Sequence, residues 1–294
     1  MRTAIARPGV EMKMIVSPAS KMTVSIVIPV FNQLHFTKIF MESLQAARPE
    51  NSEIIVVNNG SSDGTAQYLL ECQNITTISN EKNLGCAAAW NQGIRASHGQ
   101  WIVVLNNDII LSPGWFDGLL EFAREKNADI VSPAFREGEY NYDIASYARA
   151  FISRMSRVSR MGIAQGICFM VQRRVFDEIG LFDENFRIGQ YEDADFFRRA
   201  KLAGHVLGTT GRSLIHHFGS VTQDYIRKEA RDERKPYEEE NRAYYRRKHK
   251  LSPWKRFIGR RREKLQARWW RISERTLHGH TLVEKWTNGR LRYF

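Results

Sequence analysis

Cysteine is scarce, with Cys72, Cys86 and Cys168 the only three in a chain of 294 residues. They are odd in number, widely spaced and free of any CxxC pair. That excludes a disulfide framework and argues against a zinc or redox motif, and a reducing cytoplasm is the expected setting. No run of about 18 apolar residues occurs, so no membrane-spanning helix is expected. The first 22 residues hold apolar fragments such as Met14-Ile15-Val16 but no h-region of signal-peptide length, and they are expected to form a flexible N-terminal extension. Repeats and low-complexity tracts are missing too. What remains is one sizeable domain with extensions, large enough to fold without staples.

Charge is abundant and unevenly placed. The formal net charge is +12; residues 223–294 carry 22 Lys and Arg against 10 Asp and Glu, while the first 222 are neutral. This predicts a globular domain over 23–222 and a basic, mostly helical C-terminal extension over 223–294 that suits an anionic surface. Within the extension Trp254, Ile258, Leu265, Trp269 and Ile272 recur at helical spacing, with Arg256, Arg260, Arg261, Lys264, Arg268 and Arg271 around them. Over 254–272 that is the pattern of an amphipathic helix on an anionic membrane. The same face packed on the domain or on another subunit is the rival reading. Nucleic acid ranks below both, because the first domain is neutral.

Along the chain, Val24–Val30, Glu53–Val57, Ile75–Ser79 and Trp101–Leu105 read as buried strands, the third the weakest. Helical patterns follow the first (Phe36, Ile39, Phe40, Leu44), the second (about Thr65 to Cys72) and the third (Cys86 to Ser97). Strands alternating with helices imply an α/β fold, a mostly parallel sheet flanked by helices, with ligands bound outside the carboxyl ends of the strands. After Pro133 the pattern fades into a polar stretch read as a loop. It resumes at Gly166–Val171, then a helix from about Glu192 to Ala203 that ends at Gly204, then short strands leading to Ile215-His216-His217.

Asn106-Asn107-Asp108 follows the clearest strand, where a carboxylate can hold Mg²⁺ or Mn²⁺ against a diphosphate; an ordinary Asn/Asp turn is the plain alternative. Glu192-Asp193 opens a helix, where acidic residues favour the dipole's positive end or serve as a base. His216 and His217 should point to opposite sides of a strand, so one of them can face a site.

The ordered set Val27-Ile28-Pro29-Val30-Phe31-Asn32, Val56 to Thr65, Asn83-Leu84-Gly85 with Asn91-Gln92-Gly93, Leu105 to Asp108, Gly180 to Glu184, Glu192 to Asp195 and His217-Phe218-Gly219 resembles a family 2 glycosyltransferase of GT-A fold, with a rhamnosyltransferase-like subgroup one candidate. The resemblance spans about Val24 to Thr222. It implies inverting, metal-dependent transfer of a sugar from a nucleoside diphosphate donor (UDP or dTDP) to a hydroxyl on a glycan, lipid-linked glycan or protein. It assigns donor contacts to Pro29, Phe31, Asn32, Asn58, Asp63, Asn83, Gly85, Asn106 and Asn107. Asp108 becomes the ligand of Mn²⁺ or Mg²⁺, His217 is preferred to His216 as its companion, Asp193 is the base beside Glu192, and Gly166, Phe182 and Asp183 lie near the acceptor. Asn106 and Asn58 stand where the family often has Asp, and Trp90 where many members have Arg. The expected location is cytoplasmic, peripheral on the inner face of a membrane. A nucleotidyltransferase making nucleotide sugars ranks second, since Pro29–His35 has no glycine and no basic residue but that histidine. A nucleic-acid-binding protein using the basic tail ranks third.

Overall fold

The structure is a computed structural model that describes residues 24–219, 221–222, 225–226 and 236–294. The extension expected over residues 1–22 lies outside the described residues. The first half alternates as expected: β1 (Val24–Val30), α1 (Leu34–Ala46), β2 (Ser52–Asn59), α2 (Thr65–Glu71), β3 (Thr76–Asn80), α3 (Cys86–Ala96) and β4 (Trp101–Leu105). Apolar runs (Ile26–Val30, Ile54–Val57 and Trp101–Leu105) fit β1, β2 and β4 to a sheet covered on both faces, and β4 is buried at every position. β1 pairs in parallel with β2 and β4, and β2 with β3.

Beyond β4 come β5 (Ile109–Leu111), α4 (Trp115–Lys126), β6 (Ile130–Glu137), α5 (Ile144–Met155), β7 (Ser159–Met161), β8 (Cys168–Gln172), α6 (Arg173–Ile179), α7 (Glu192–Leu202) and β9 (Leu207–His217). The stretch read as a loop after Pro133 is therefore the end of β6 followed by a helix. Asp143 caps α5 by accepting from Ser146 N–H at 2.7 Å, and Ala148, Phe151 and Met155 bury its inner face. Sequence periodicity missed it because Tyr, Arg and Ser dilute the apolar stripe. β8 runs antiparallel between β4 and β6, which makes the sheet mixed, and β9 is one long strand in place of several short ones, parallel to β6.

Two apolar layers hold the sheet. One packs Phe40, Met41 and Leu44 of α1 and Trp115, Leu119 and Phe122 of α4 on one face. The other packs Trp90 and Ile94 of α3 with Phe176 and Phe196 on the opposite face. Full burial of a side chain such as Phe40 or Phe122 contributes about 1.5–3 kcal/mol.

The segment expected to be an appendage forms α8 (Pro236–Lys248), α9 (Pro253–His278), β10 (Val283–Thr287) and β11 (Arg290–Tyr293). β10 joins the central sheet in parallel with the end of β6, and β11 closes the sheet's edge against it. Buried Arg160 grips Glu274 of α9 through two bonds at 2.8 and 2.9 Å, and Leu282 is fully buried. From Pro236 onward the chain is thus helical first and sheet-forming last. Charge counting could not reveal this, because the residues that dock are a minority among exposed Arg and Lys.

Candidate active site

The carboxyl ends of β1, β2 and β4 open on a cleft of about 540 Å³. That is room enough for a nucleotide-sized ligand. Asn106, Asn107 and Asp108 line one wall, Glu192 and Asp193 another, and Pro29, Phe31, Asn83, Gly166 and His217 complete the set expected from sequence that reaches it.

β5 pairs with the end of β9 so that Ile109 lies opposite His217, and Phe218 N–H donates to the Asp108 carbonyl at 3.0 Å. This register brings His217 Nε2 to 3.6 Å from Asp108 Oδ2. The other ring nitrogen, Nδ1, is 3.2 Å from Glu137 Oε2 at the end of β6, and Lys285 of β10 donates to Glu137 Oε1 at 2.5 Å. Burial opposes a charge on His217, yet its bonds to Asp108 and Glu137 prevail and raise it to about 9. The bond to His217, against burial and with help from Lys285, lowers Glu137 to about 2. His216 points the other way. Its Nδ1 meets the Tyr142 hydroxyl at 3.0 Å, and burial, then the charge of His217, depresses it to about 3.

Asp108 Oδ1 is buried without a hydrogen-bond partner. A buried carboxylate oxygen of this kind suits a cation, and Asp108 offers an oxygen donor beside His217, whose nitrogen becomes a donor that Mn²⁺ accepts once the ring gives up its proton. Among the described residues no group of three or more His, Cys, Asp or Glu side chains is set to hold a metal. The pair could therefore supply only part of a coordination shell.

On the facing wall Tyr191, with φ 76°, leads into α7. Asp193 Oδ1 accepts from Ala194 N–H at 2.7 Å. Burial raises the Asp193 carboxyl, with the Ala194 bond acting against it. Burial and the neighbouring Asp193 charge push Glu192 up to about 8, while the Cys86 thiol donates to it and pulls the other way. Gly166 has a definite reason to lack a side chain, since a Cβ there would lie 2.1 Å from Asp193 Oδ2. The group that approaches its backbone closely is this carboxylate.

Other expected residues sit behind the cleft. Asp63 caps two helices, accepting from Leu34 N–H at 2.9 Å and from Thr65 N–H and hydroxyl at 3.1 and 2.6 Å. Asn32 accepts from Ser62 N–H and donates to the Tyr225 hydroxyl, and Asn58 accepts from Ser61 N–H. These three side chains knit the loops after β1 and β2 and do not line the cleft. Asn107, by contrast, lines the cleft and turns its amide inward to donate to Thr37 Oγ1. Gly85, at φ 93°, starts α3 next to the lining residue Cys86. Phe182 packs among Trp90, Phe176 and Phe196, and Asp183 is held by Lys248 and Tyr244 of α8. Trp90 also reaches the cleft lining, as a buried ring packed on Phe169 and Phe182.

Four residues escaped the sequence reading. Asn59, next to the expected Asn58, is buried on the cleft wall, donating to Asn83 Oδ1 and the Gly85 carbonyl. Glu137 and Lys285 meet only through the register of β6 with β10. Asn241 of α8 donates to the carbonyls of Arg187, Gly189 and Gln190 at 2.9, 2.9 and 3.2 Å. The loop it holds contains Ile188, Gln190 and Tyr191 at positive φ, a conformation that costs about 1–3 kcal/mol per residue and is offset by these bonds. No local signal marks a helix Asn as the anchor of a loop some fifty positions away.

The model of glycosyl transferase family 2 matches residues 25–180, just over half of the chain and the part that carries the Asn106–Asp108 wall of the cleft. The chain belongs to glycosyl transferase family 2. That membership favours the glycosyltransferase among the readings the sequence left open. This family 2 chain is 27% identical over 124 residues to glycosyltransferase GlyG of Streptococcus pneumoniae serotype 4, a match covering 41% of this chain and 40% of that protein. It is 29% identical over 208 residues to the uncharacterized glycosyltransferase YwdF of Bacillus subtilis, covering 68% of this chain and 76% of that one. The chain thus spans well under two thirds of the pneumococcal relative. Among solved structures, TarS 1–349 of S. aureus is similar at 15% identity and TM-score 0.54, covering 67% of this chain and 60% of that one. GalNAc-T7 with UDP, GalNAc and Mn²⁺ is similar at 17% identity and TM-score 0.55, covering 67% and 44%. These likenesses establish the GT-A fold.

Proposed function

We propose that this family 2 glycosyltransferase moves a sugar from a UDP- or dTDP-linked donor to a hydroxyl on a glycan, lipid-linked glycan or protein acceptor, with inversion at the sugar carbon. The observation that carries the reading is the meeting, in one cleft, of the Asp108–His217 pair with the Glu192–Asp193 pair. Asp193 takes the proton from the acceptor hydroxyl as its oxygen bonds to the anomeric carbon. The bond from that carbon to the diphosphate breaks in the same displacement, and its electron pair leaves with the nucleoside diphosphate. Asp108 and His217 would hold Mn²⁺ or Mg²⁺, which when bound neutralises the leaving diphosphate. The neighbour solved with UDP, GalNAc and Mn²⁺ supports this choice of donor and cation.

The test is a panel of sugar nucleotides scored by thermal shift and by diphosphate release. At a hundred times Kd a donor stabilises the fold by about 2.7 kcal/mol, so one sugar nucleotide with Mn²⁺ is expected to raise Tm by roughly 5 °C or more. Excess chelator should remove both the shift and the turnover. No response to any sugar nucleotide would overturn the function, and full turnover in chelator would overturn the role of the metal.

Glu137 serves this reading by fixing which His217 nitrogen faces Asp108. Partners of this kind are typically worth ten- to a hundredfold in metal affinity. Glu137→Gln, which loses the charge and the Lys285 pair, is expected to weaken Mn²⁺ binding by about that factor in calorimetry without donor. Unchanged affinity would leave Glu137 a purely structural residue.

A further inference from the structure

α9 is 26 residues long, about 39 Å at 1.5 Å per residue, and it is attached by one side. Glu274 is its buried residue, held by Arg160, and Trp270 lies under the Arg160 guanidinium at 5.0 Å. At 3.6 residues per turn, Trp254, Ile258, Leu265, Trp269 and Ile272 fall on the side roughly opposite Trp270 and Glu274. Their exposure agrees: Trp254 is 69%, Leu265 68% and Trp269 65% exposed. Packing on the domain is the alternative that the sequence left open, and among the described residues this stripe does not follow it.

The stripe is flanked and interrupted by cations. α9 carries nine Lys and Arg against two Glu, with Arg261 and Arg268 at the stripe itself and Lys255, Arg262, Lys264 and Arg271 beside it. A second copy of the helix would set this charge against itself. A neutral apolar partner would leave the guanidinium groups unpaired. Anionic headgroups satisfy both features, because the Trp and Leu side chains enter the acyl boundary while Arg and Lys extend to the phosphates. We infer that the exposed face of α9 docks this protein on an anionic lipid bilayer, with the helix lying in the plane of the surface. No helix among the described residues is long and apolar enough to cross a membrane, so the attachment is peripheral. The inference stands apart from the sugar-transfer reading and survives its failure.

The experiment is co-sedimentation of the full chain with vesicles of phosphatidylcholine alone or mixed with phosphatidylglycerol. Binding is expected to the mixed vesicles only and to weaken as salt rises. The variant Trp254→Gln/Leu265→Gln/Trp269→Gln should lose at least tenfold in binding with Tm unchanged. Arg261→Gln/Arg268→Gln should lose about fivefold per residue. Equal or absent binding to both vesicle types overturns the inference. So does a dimer in solution that the triple variant splits, which makes a second copy the occupant. Binding that emerges only after residues 1–23 are removed overturns it too, by making that segment the occupant.

Discussion

Asp193→Asn is expected to lower sugar transfer by about a hundredfold to ten-thousandfold, the range a positioned base contributes, while donor affinity stays within a fewfold. The amide keeps the shape and can still accept from Ala194 N–H, but it cannot take the acceptor proton. Because burial raises the Asp193 carboxyl, the acid limb of the rate profile should lie above the ordinary Asp range, with the rate rising as pH rises and the group ionises. Glu192 supplies the control. Pushed up to about 8, it holds its proton at neutral pH, so Glu192→Gln resembles the state already present and should retain transfer within a fewfold. Single-turnover rates on both variants check this. A dead Glu192→Gln beside an active Asp193→Asn would exchange the two roles.

The second large effect concerns the chain beyond Lys250. Counted by charge, this part looks removable, but cutting after Lys250 is expected to unfold the protein. Arg160 would be left as an uncompensated buried charge, worth about 3–5 kcal/mol, and the fully buried Leu282 adds about 1.5–3 kcal/mol. Glu284, which accepts from the Tyr147 hydroxyl at 2.5 Å, would be lost as well. Together these approach the whole stability of an ordinary domain, about 5–15 kcal/mol. Urea melts of Glu274→Ala in the full chain give the graded version, with a loss of about 3–5 kcal/mol expected. A truncated chain that melts cooperatively near the parent's Tm would refute this view of the sheet edge.

What could be read from sequence was what neighbours in sequence decide. Trp101–Leu105 is apolar without a break, and Val24–Val30 but for Ser25, because both faces of their sheet are covered, and the Asn-Asp turn and the Glu-Asp helix start announce themselves locally. Strand alternation let only one of His216 and His217 face the site, and the family resemblance picked His217. The rest depends on contacts between distant segments. β10 is short, and its inward residue is Glu284, a buried carboxylate bonded to Tyr147 and His280, so no apolar alternation gives it away. Asn32, Asn58 and Asp63 were assigned as donor contacts by the family resemblance. Turn residues of this type also bond backbone, and here their oxygens are taken up by N–H groups of the two loops. Asn241 and Glu137 act through elements whose pairing no single segment encodes.

The pairing of Lys285 with Glu137 also bears on how the protein is made. During synthesis the end of β6 leaves the ribosome before either neighbour, since β9 follows about 80 residues later and β10 nearly 150 residues downstream. At about 5–20 residues per second the wait is roughly 10–30 s. Throughout that interval the nascent chain holds an open sheet edge and an unfinished His217 shell. Ribosome pauses or slow codons between β6 and β10 would lengthen the exposure, and a chaperone bound at that edge would shorten its effect.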